Sequence, residues 1–121
     1  MIRLFVPLAG KWYDLFASGE KTWELRGIGN QFNEKQVQIG REVEIRRGYS
    51  AKPLFGTIFG IFIVKDYDEL PEYVKDGVFP KSIRNDIKTL EFLRAYREKY
   101  RERGLIAFNI VNLKKKEDVN D

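Results

Sequence analysis

Residues Leu54 to Val64 form a long run of phenylalanine, isoleucine and other β-favouring residues, interrupted by Gly56 and Gly60. Glycine inside such a run marks a bend or a bulge, and a bend is what a small sheet needs in order to curl toward closure. The flanking segments agree. Ile2 to Val6, ending at Pro7, reads as a first strand, and Glu42 to Arg46 alternates with Val43 and Ile45 inward. Leu105 to Leu113 is a β-branched, aromatic closing strand. Between them the period changes. From Gly10 to Ser18, Trp12, Leu15 and Phe16 make one helical stripe, with Gly19 placed to end it. Asp68 to Lys75 reads as one short helix with Asp68 as its N-cap, and Asp76 to Arg84 as a connecting loop. Thr89 to Arg103 reads as the long helix, with Leu90, Leu93 and Tyr96 or Tyr100 inward and Gly104 as its stop. Strands dominate, so the expected class is α+β, a compact mixed barrel with flanking helices.

A chain of 121 residues with 43% hydrophobic content is one domain able to bury a core. The polar end, residues 114–121, is expected to be a disordered tail, leaving 1–113 as the domain. Neither a membrane span nor a signal peptide is readable, and a cytoplasmic location is expected. Cysteine and histidine are both absent, which removes disulfides, Cys- or His-based metal sites and every imidazole mechanism. No metal and no cofactor are expected: Asp66, Asp68 and Glu69, the nearest to a ligand set, read as a helix start. With a third of its residues charged and Cys and His missing, the composition is thermophile-like. The net charge of +4 permits a polyanionic partner.

Chemistry must therefore come from charged and hydroxyl side chains, and they concentrate in Gly19-Glu20-Lys21-Thr22-Trp23-Glu24-Leu25-Arg26. On a strand, Thr22, Glu24 and Arg26 share one face and Trp23 and Leu25 the other, with Lys21 at the mouth of the polar row. Arg26 offers a planar fork to a phosphate, carboxylate or base edge. Lys21 either holds a negative charge or, if desolvated, serves as a base. A bare surface ion pair on a half-buried strand is the bland alternative, though such pairs contribute only about 0–1 kcal/mol. Arg46 and Arg47, with Tyr49 and Lys52 just beyond, form a candidate nucleic-acid patch in which basic and aromatic groups lie together. Arg94, Arg97 and Arg101 also share a helix face, but Glu98 and Glu102 interleave and the face reads as solvated. Trp12, Trp23, Phe55, Phe59 and Phe62 are assigned to the core.

The octapeptide resembles the Gly-x-Lys-x-x-Glu-x-Arg signature of the ASCH domain family, a branch of the PUA-like superfamily. Val37-Gln38-Ile39-Gly40-Arg41-Glu42-Val43 resembles the family's lead-in to the following strand, and a late helix followed by a final strand also matches. The resemblance spans about residues 2–113. It implies a small PUA-like β-barrel whose helices surround a cleft lined by the signature, and a monomer is assumed. It also implies RNA, or a modified nucleoside or nucleotide, as the partner, held by Lys21, Thr22, Glu24, Arg26, Arg46, Arg47, Tyr49 and Lys52. Similar proteins that hydrolyse N4-acylated cytidines use a Lys and a Thr of the signature and a Glu from the helix before the last strand. Lys21 matches the lysine and Glu91 lies near the glutamate, but Glu24 stands where the threonine would be. A binding module is therefore the leading expectation. The alternative is a small metal-free amidohydrolase or ribonuclease working through Lys21, Glu24 and Glu91.

Overall fold

A computed structural model describes residues 2–48 and 52–115. The chain runs β1 (Leu4–Leu8), α1 (Gly10–Ser18), β2 (Trp23–Gly27), β3 (Glu42–Arg47), β4 (Leu54–Val64), a single 3-10 turn (Tyr67–Glu69), α2 (Glu72–Val78), α3 (Ile87–Lys99) and β5 (Leu105–Lys115). The five strands form one mixed sheet in the order β1-β3-β4-β5-β2, with β1 and β3 parallel and the other pairs antiparallel. This is the expected α+β class, a curled half-barrel with three helices.

The two glycines of β4 do what the sequence suggested. The β4–β5 register slips between Phe55 and Thr57 and again between Ile58 and Ile61. At the first slip, a Cβ on Gly56 would come within 2.5 Å of Ile110 Cγ2. At the second, the Gly60 amide leaves the ladder and donates to Asn109 Oδ1 at 2.5 Å. The bulges add local bend and twist, which brings the far edges of the sheet toward each other.

Both sheet faces are covered. Val6, Val43, Ile45, Ile58, Ile106 and Phe108 bury one face together with Phe16 of α1 and Phe32. Trp23, Leu25, Leu105 and Ala107 bury the other against Val74, Val78 and Phe79 of the α2 region, with Leu93 and Tyr96 of α3 and its C-cap Tyr100 packed alongside. Glu24 stands opposite Phe108 and Arg26 opposite Ile106, so both belong to the first face, inside the curl.

Several sequence expectations are corrected. Pro7 does not close the first strand: β1 continues to Leu8 along the sheet edge, where a missing N–H is tolerated. The helix expected over Asp68–Lys75 is two pieces. Asp66 and Glu69 form a capping box on the 3-10 turn, Leu70 is extended, and α2 begins after Pro71. Leu90 is 50% exposed and Phe59 68% exposed, so neither is core. The strand expected to end at Leu113 runs to Lys115, into the segment expected as a tail. No helix among the described residues is long and apolar enough to cross a membrane.

Candidate functional site

Helix α1 ends at Gly19, whose left-handed φ of 85° suits a residue without a side chain. The reversal that follows returns the Lys21 amide to Leu15 O and carries the Lys21 side chain inward. Its ammonium is buried at 2% exposure, over the rings of Phe16, Trp12 and Phe79 at 5.2, 5.7 and 5.9 Å. It donates to the carbonyls of Trp23 at 2.7 Å and Val78 at 2.8 Å, and lies 3.4 Å from Glu24 Oε1. All three partners are acceptors. Only a protonated amine has three N–H groups to give them, so the geometry suits the ammonium form. Burial pushes its pKa down, and the charge of Glu24 opposes that push.

Glu24 is the centre of the cluster. Arg26 Nε donates to its Oε2 at 2.7 Å on the side away from Lys21. Burial raises the carboxyl pKa, but Arg26 and Lys21 outweigh it and hold the group below its ordinary value. Arg26 also donates through Nη2 to Pro7 O at 2.8 Å and lies 4.6 Å over the Phe32 ring. Since β1 and β2 are the two edges of the sheet, this one side chain spans its seam.

Above the cluster lies a cavity of about 280 Å³. Pro7, Leu8 and Ala9 line one side and Glu24, Leu25 and Arg26 another, with Lys21 at the base. The remaining wall is apolar and aromatic: Trp12 from α1, Val78 and Phe79 from the end of α2, Phe92 and Tyr96 from α3. Tyr96 accepts the Gly27 amide at 2.7 Å, and burial raises its phenol pKa to about 12. A cavity with aromatic walls and a few fixed polar groups is the usual form of a small-ligand site.

The structure thus brings Lys21, Glu24 and Arg26 together but separates other expected residues from them. Thr22 precedes β2 and is exposed, with its amide on Gly77 O and its carbonyl taken by Ile110. It does not line the cavity. Glu91 is exposed and also off the cavity, whereas its neighbour Phe92 lines it. Arg46 is partly buried and donates to Glu44. Arg47 lies across the start of α1, where a Cβ on Gly10 would come within 2.5 Å of its Nε, and stands 3.9 Å from Asp14. Lys52 is exposed, and its carbonyl accepts the Tyr13 hydroxyl at 2.8 Å. Tyr49 lies outside the described residues. On α3, Arg97 pairs with Asp66 and Asp68 and Arg101 with Glu98, in keeping with a solvated, salt-bridged face.

Sequence reasoning missed Phe79 and Phe92 as cavity walls, and it took Tyr96 for a core residue only. The available signal was the i, i+4 spacing of Phe92 and Tyr96 on the helix before the last strand.

No protein-family model matches the chain, and no curated protein matches it in sequence. Solved structures do resemble it. The hypothetical protein PH0355 aligns with a TM-score of 0.65 at 20% identity, over 90% of this chain and 97% of that one. The ASCH protein of Zymomonas mobilis aligns at 0.59 and 17% identity, over 92% of this chain and 68% of that one. Protein PF0455 of Pyrococcus furiosus aligns at 0.59 and 18% identity, over 96% and 99%. Identities this low carry the fold and leave the chemistry to the residues of this chain.

Proposed function

Because the chain has the fold of the ASCH structures, we propose that it is an RNA- or nucleotide-binding module that receives a base in the cavity above Lys21, Glu24 and Arg26. The observation that carries this reading is an ionised, buried carboxylate clamped between two cations on the floor of an aromatic-walled cavity. Such a floor presents an acceptor and a donor side by side, the pattern of a base edge, while Trp12, Phe79 and Phe92 supply apolar surface for the ring. Lys21 has its donors committed and serves to keep Glu24 charged. Arg47 and Lys52, exposed beside α1, are available to the phosphates of a longer strand. Thr22 and Arg46 have no part in this reading.

The hydrolase alternative has less to support it. A general base works best with a pKa near the working pH, and Glu24 is held below even the ordinary carboxylate value. Lys21 Nζ is already turned onto the Trp23 and Val78 carbonyls, and Glu91 is outside the cavity. Incubating the protein with N4-acetylcytidine and with a short single-stranded RNA, beside a Lys21→Ala control, should give no product from either. Turnover absent from the control would reverse the order of the two readings.

For binding itself, Arg26→Ala should weaken RNA or nucleotide affinity by about tenfold or more, since a charged hydrogen bond contributes about 1.5–3 kcal/mol. Circular dichroism establishes that the variant is folded. Unchanged affinity in the folded variant would take the cavity out of the account. RNA affinity should also fall with added salt as phosphate contacts release counterions.

A further inference from the structure

Tyr96 reaches the site from a different element than the signature does, and its hydroxyl is only half used. The Gly27 amide donates to Tyr96 Oη at 2.7 Å, which fixes the oxygen beside the residue that follows Arg26. The ring is held between Phe92, stacked at 5.4 Å, and Tyr100 at 4.8 Å. Tyr100 in turn lies on Gly27, where any Cβ would collide with its ring. A phenol that accepts an N–H still has its own O–H to give. Among the described residues nothing accepts it, and Tyr96 lines the cavity together with Glu24 and Arg26. Burial keeps the phenol protonated far above neutral pH, so the group is a donor under all working conditions.

We propose that Tyr96 is a specificity-determining residue whose O–H, together with Arg26, donates to a carbonyl oxygen of the bound base, so that the cavity selects carbonyl-bearing bases over adenine. The inference rests on the nucleobase reading above and adds the chemical class of the base. A carbonyl oxygen has two lone pairs and takes both donors, while an N–H of the same base edge meets the Glu24 carboxylate. Uracil, guanine and cytosine each have a carbonyl. Adenine has none: the acceptor beside its amino group is a ring nitrogen with a single lone pair, which takes one of the two donors and leaves the other unpaired, and a site with an unpaired donor rejects such an analogue.

The test is equilibrium binding of uridine, cytidine, guanosine and adenosine monophosphates to the full chain, followed by tryptophan fluorescence, to which the cavity-lining Trp12 contributes. The wild type should prefer the three carbonyl-bearing nucleotides to adenosine monophosphate by about tenfold. Tyr96→Phe should lose most of that preference by binding those three more weakly, with adenosine monophosphate unchanged. A merely structural tyrosine would weaken all four alike, and that result overturns the inference. Because Tyr96→Phe also deprives the Gly27 amide of its acceptor, a second comparison leaves the protein untouched. Uridine monophosphate should bind the wild type more tightly than its counterpart with thiocarbonyls in place of both carbonyls, since sulfur is a poor acceptor. Equal affinity there overturns the inference whatever the variant does. Equal wild-type binding of all four nucleotides overturns the selectivity and spares the nucleobase reading, whereas no binding of any of them overturns both.

Discussion

A carboxylate at 5% exposure keeps its charge only if something beside it makes up for lost water, and for Glu24 that compensation is Lys21 on one oxygen and Arg26 on the other. Replacing Glu24 with Gln removes the negative centre and leaves a fully buried ammonium facing a neutral amide. Breaking a buried pair by removing one partner costs about 3–5 kcal/mol, and a loss of that order is expected in urea unfolding at neutral pH. The sign of the pH effect follows from the direction of the shift. The folded-state pKa of Glu24 lies below its ordinary 4.5, so its contribution is complete above 4.5 and is lost as pH falls through the folded value. Asp66, held below its ordinary 3.8 chiefly by a hydrogen bond from Arg97, adds to the same acid limb but at the surface. Glu24→Gln should therefore be less stable than wild type at neutral pH and flatter in its response to acid. An acid limb as steep as that of the wild type would mean that Glu24 is not the ionised centre described here. At this scale the triad was legible because cation, acid and cation at that spacing have little reason to cluster on a surface strand. Thr22 was misplaced because strand alternation was extended past the start of β2 at Trp23. The role of Tyr96 was hidden, because it depends on an amide contributed by a different element.

Among the elements, α3 is positioned by the absence of a side chain at Gly27. Tyr100 lies flat on that residue, and a Cβ would enter its ring. Gly27→Ala should destabilise the protein by about 1–3 kcal/mol through overpacking. Because the three nearest atoms that Cβ would meet all belong to Tyr100, the double variant Gly27→Ala, Tyr100→Ala should be more stable than the two single losses added together. Strict additivity in urea unfolding would place the cost elsewhere. The strand β4 was readable to its ends because glycines within a β-branched, aromatic run have one structural meaning there. The segment after it was not, since Pro71 excludes helical geometry from Leu70 and divides what looked like one helix. On α3 the inward stripe is Thr89, Leu93 and Tyr96, continued by the C-cap Tyr100, with Leu90 turned out. Hydrophobicity favoured the leucine, but Thr89 takes the buried position and accepts a bond from Lys11 at 3.4 Å. A shift of one residue along a helix is about 100°, enough to exchange an inner for an outer position.

For the molecule as a whole, the consequence of the strand order is that β1 and β2 close the curl with little backbone pairing available between them. Pro7 has no N–H to offer, and its carbonyl is taken by the Arg26 guanidinium at 2.8 Å. The glycines of β4 made the curl itself legible, but not which strands meet at the seam, because strand patterns give the faces of strands and not their neighbours. A seam whose hydrogen bonding among the described residues is one guanidinium–carbonyl contact is a weak line in an otherwise paired sheet. Arg26→Lys keeps the charge beside Glu24 but loses the planar fork that serves Glu24 and Pro7 at once. Hydrogen exchange should then accelerate in β1 and β2 while the long β4–β5 ladder stays protected, because local opening follows the weakest contacts. Uniform acceleration would mean that Arg26 acts on global stability and not on the seam. The same strands would report a ligand of the proposed kind. A ligand that filled the cavity would lie between Pro7, Leu8 and Ala9 on one side and Glu24, Leu25 and Arg26 on the other, and would tie the two edges together. At a hundredfold excess over Kd a ligand stabilises the folded state by about 2.7 kcal/mol. With a bound nucleotide, exchange in β1 and β2 should slow in the wild type beyond what the rest of the sheet shows. Slowing spread evenly over all five strands would mean that the ligand stabilises the fold without bridging the seam.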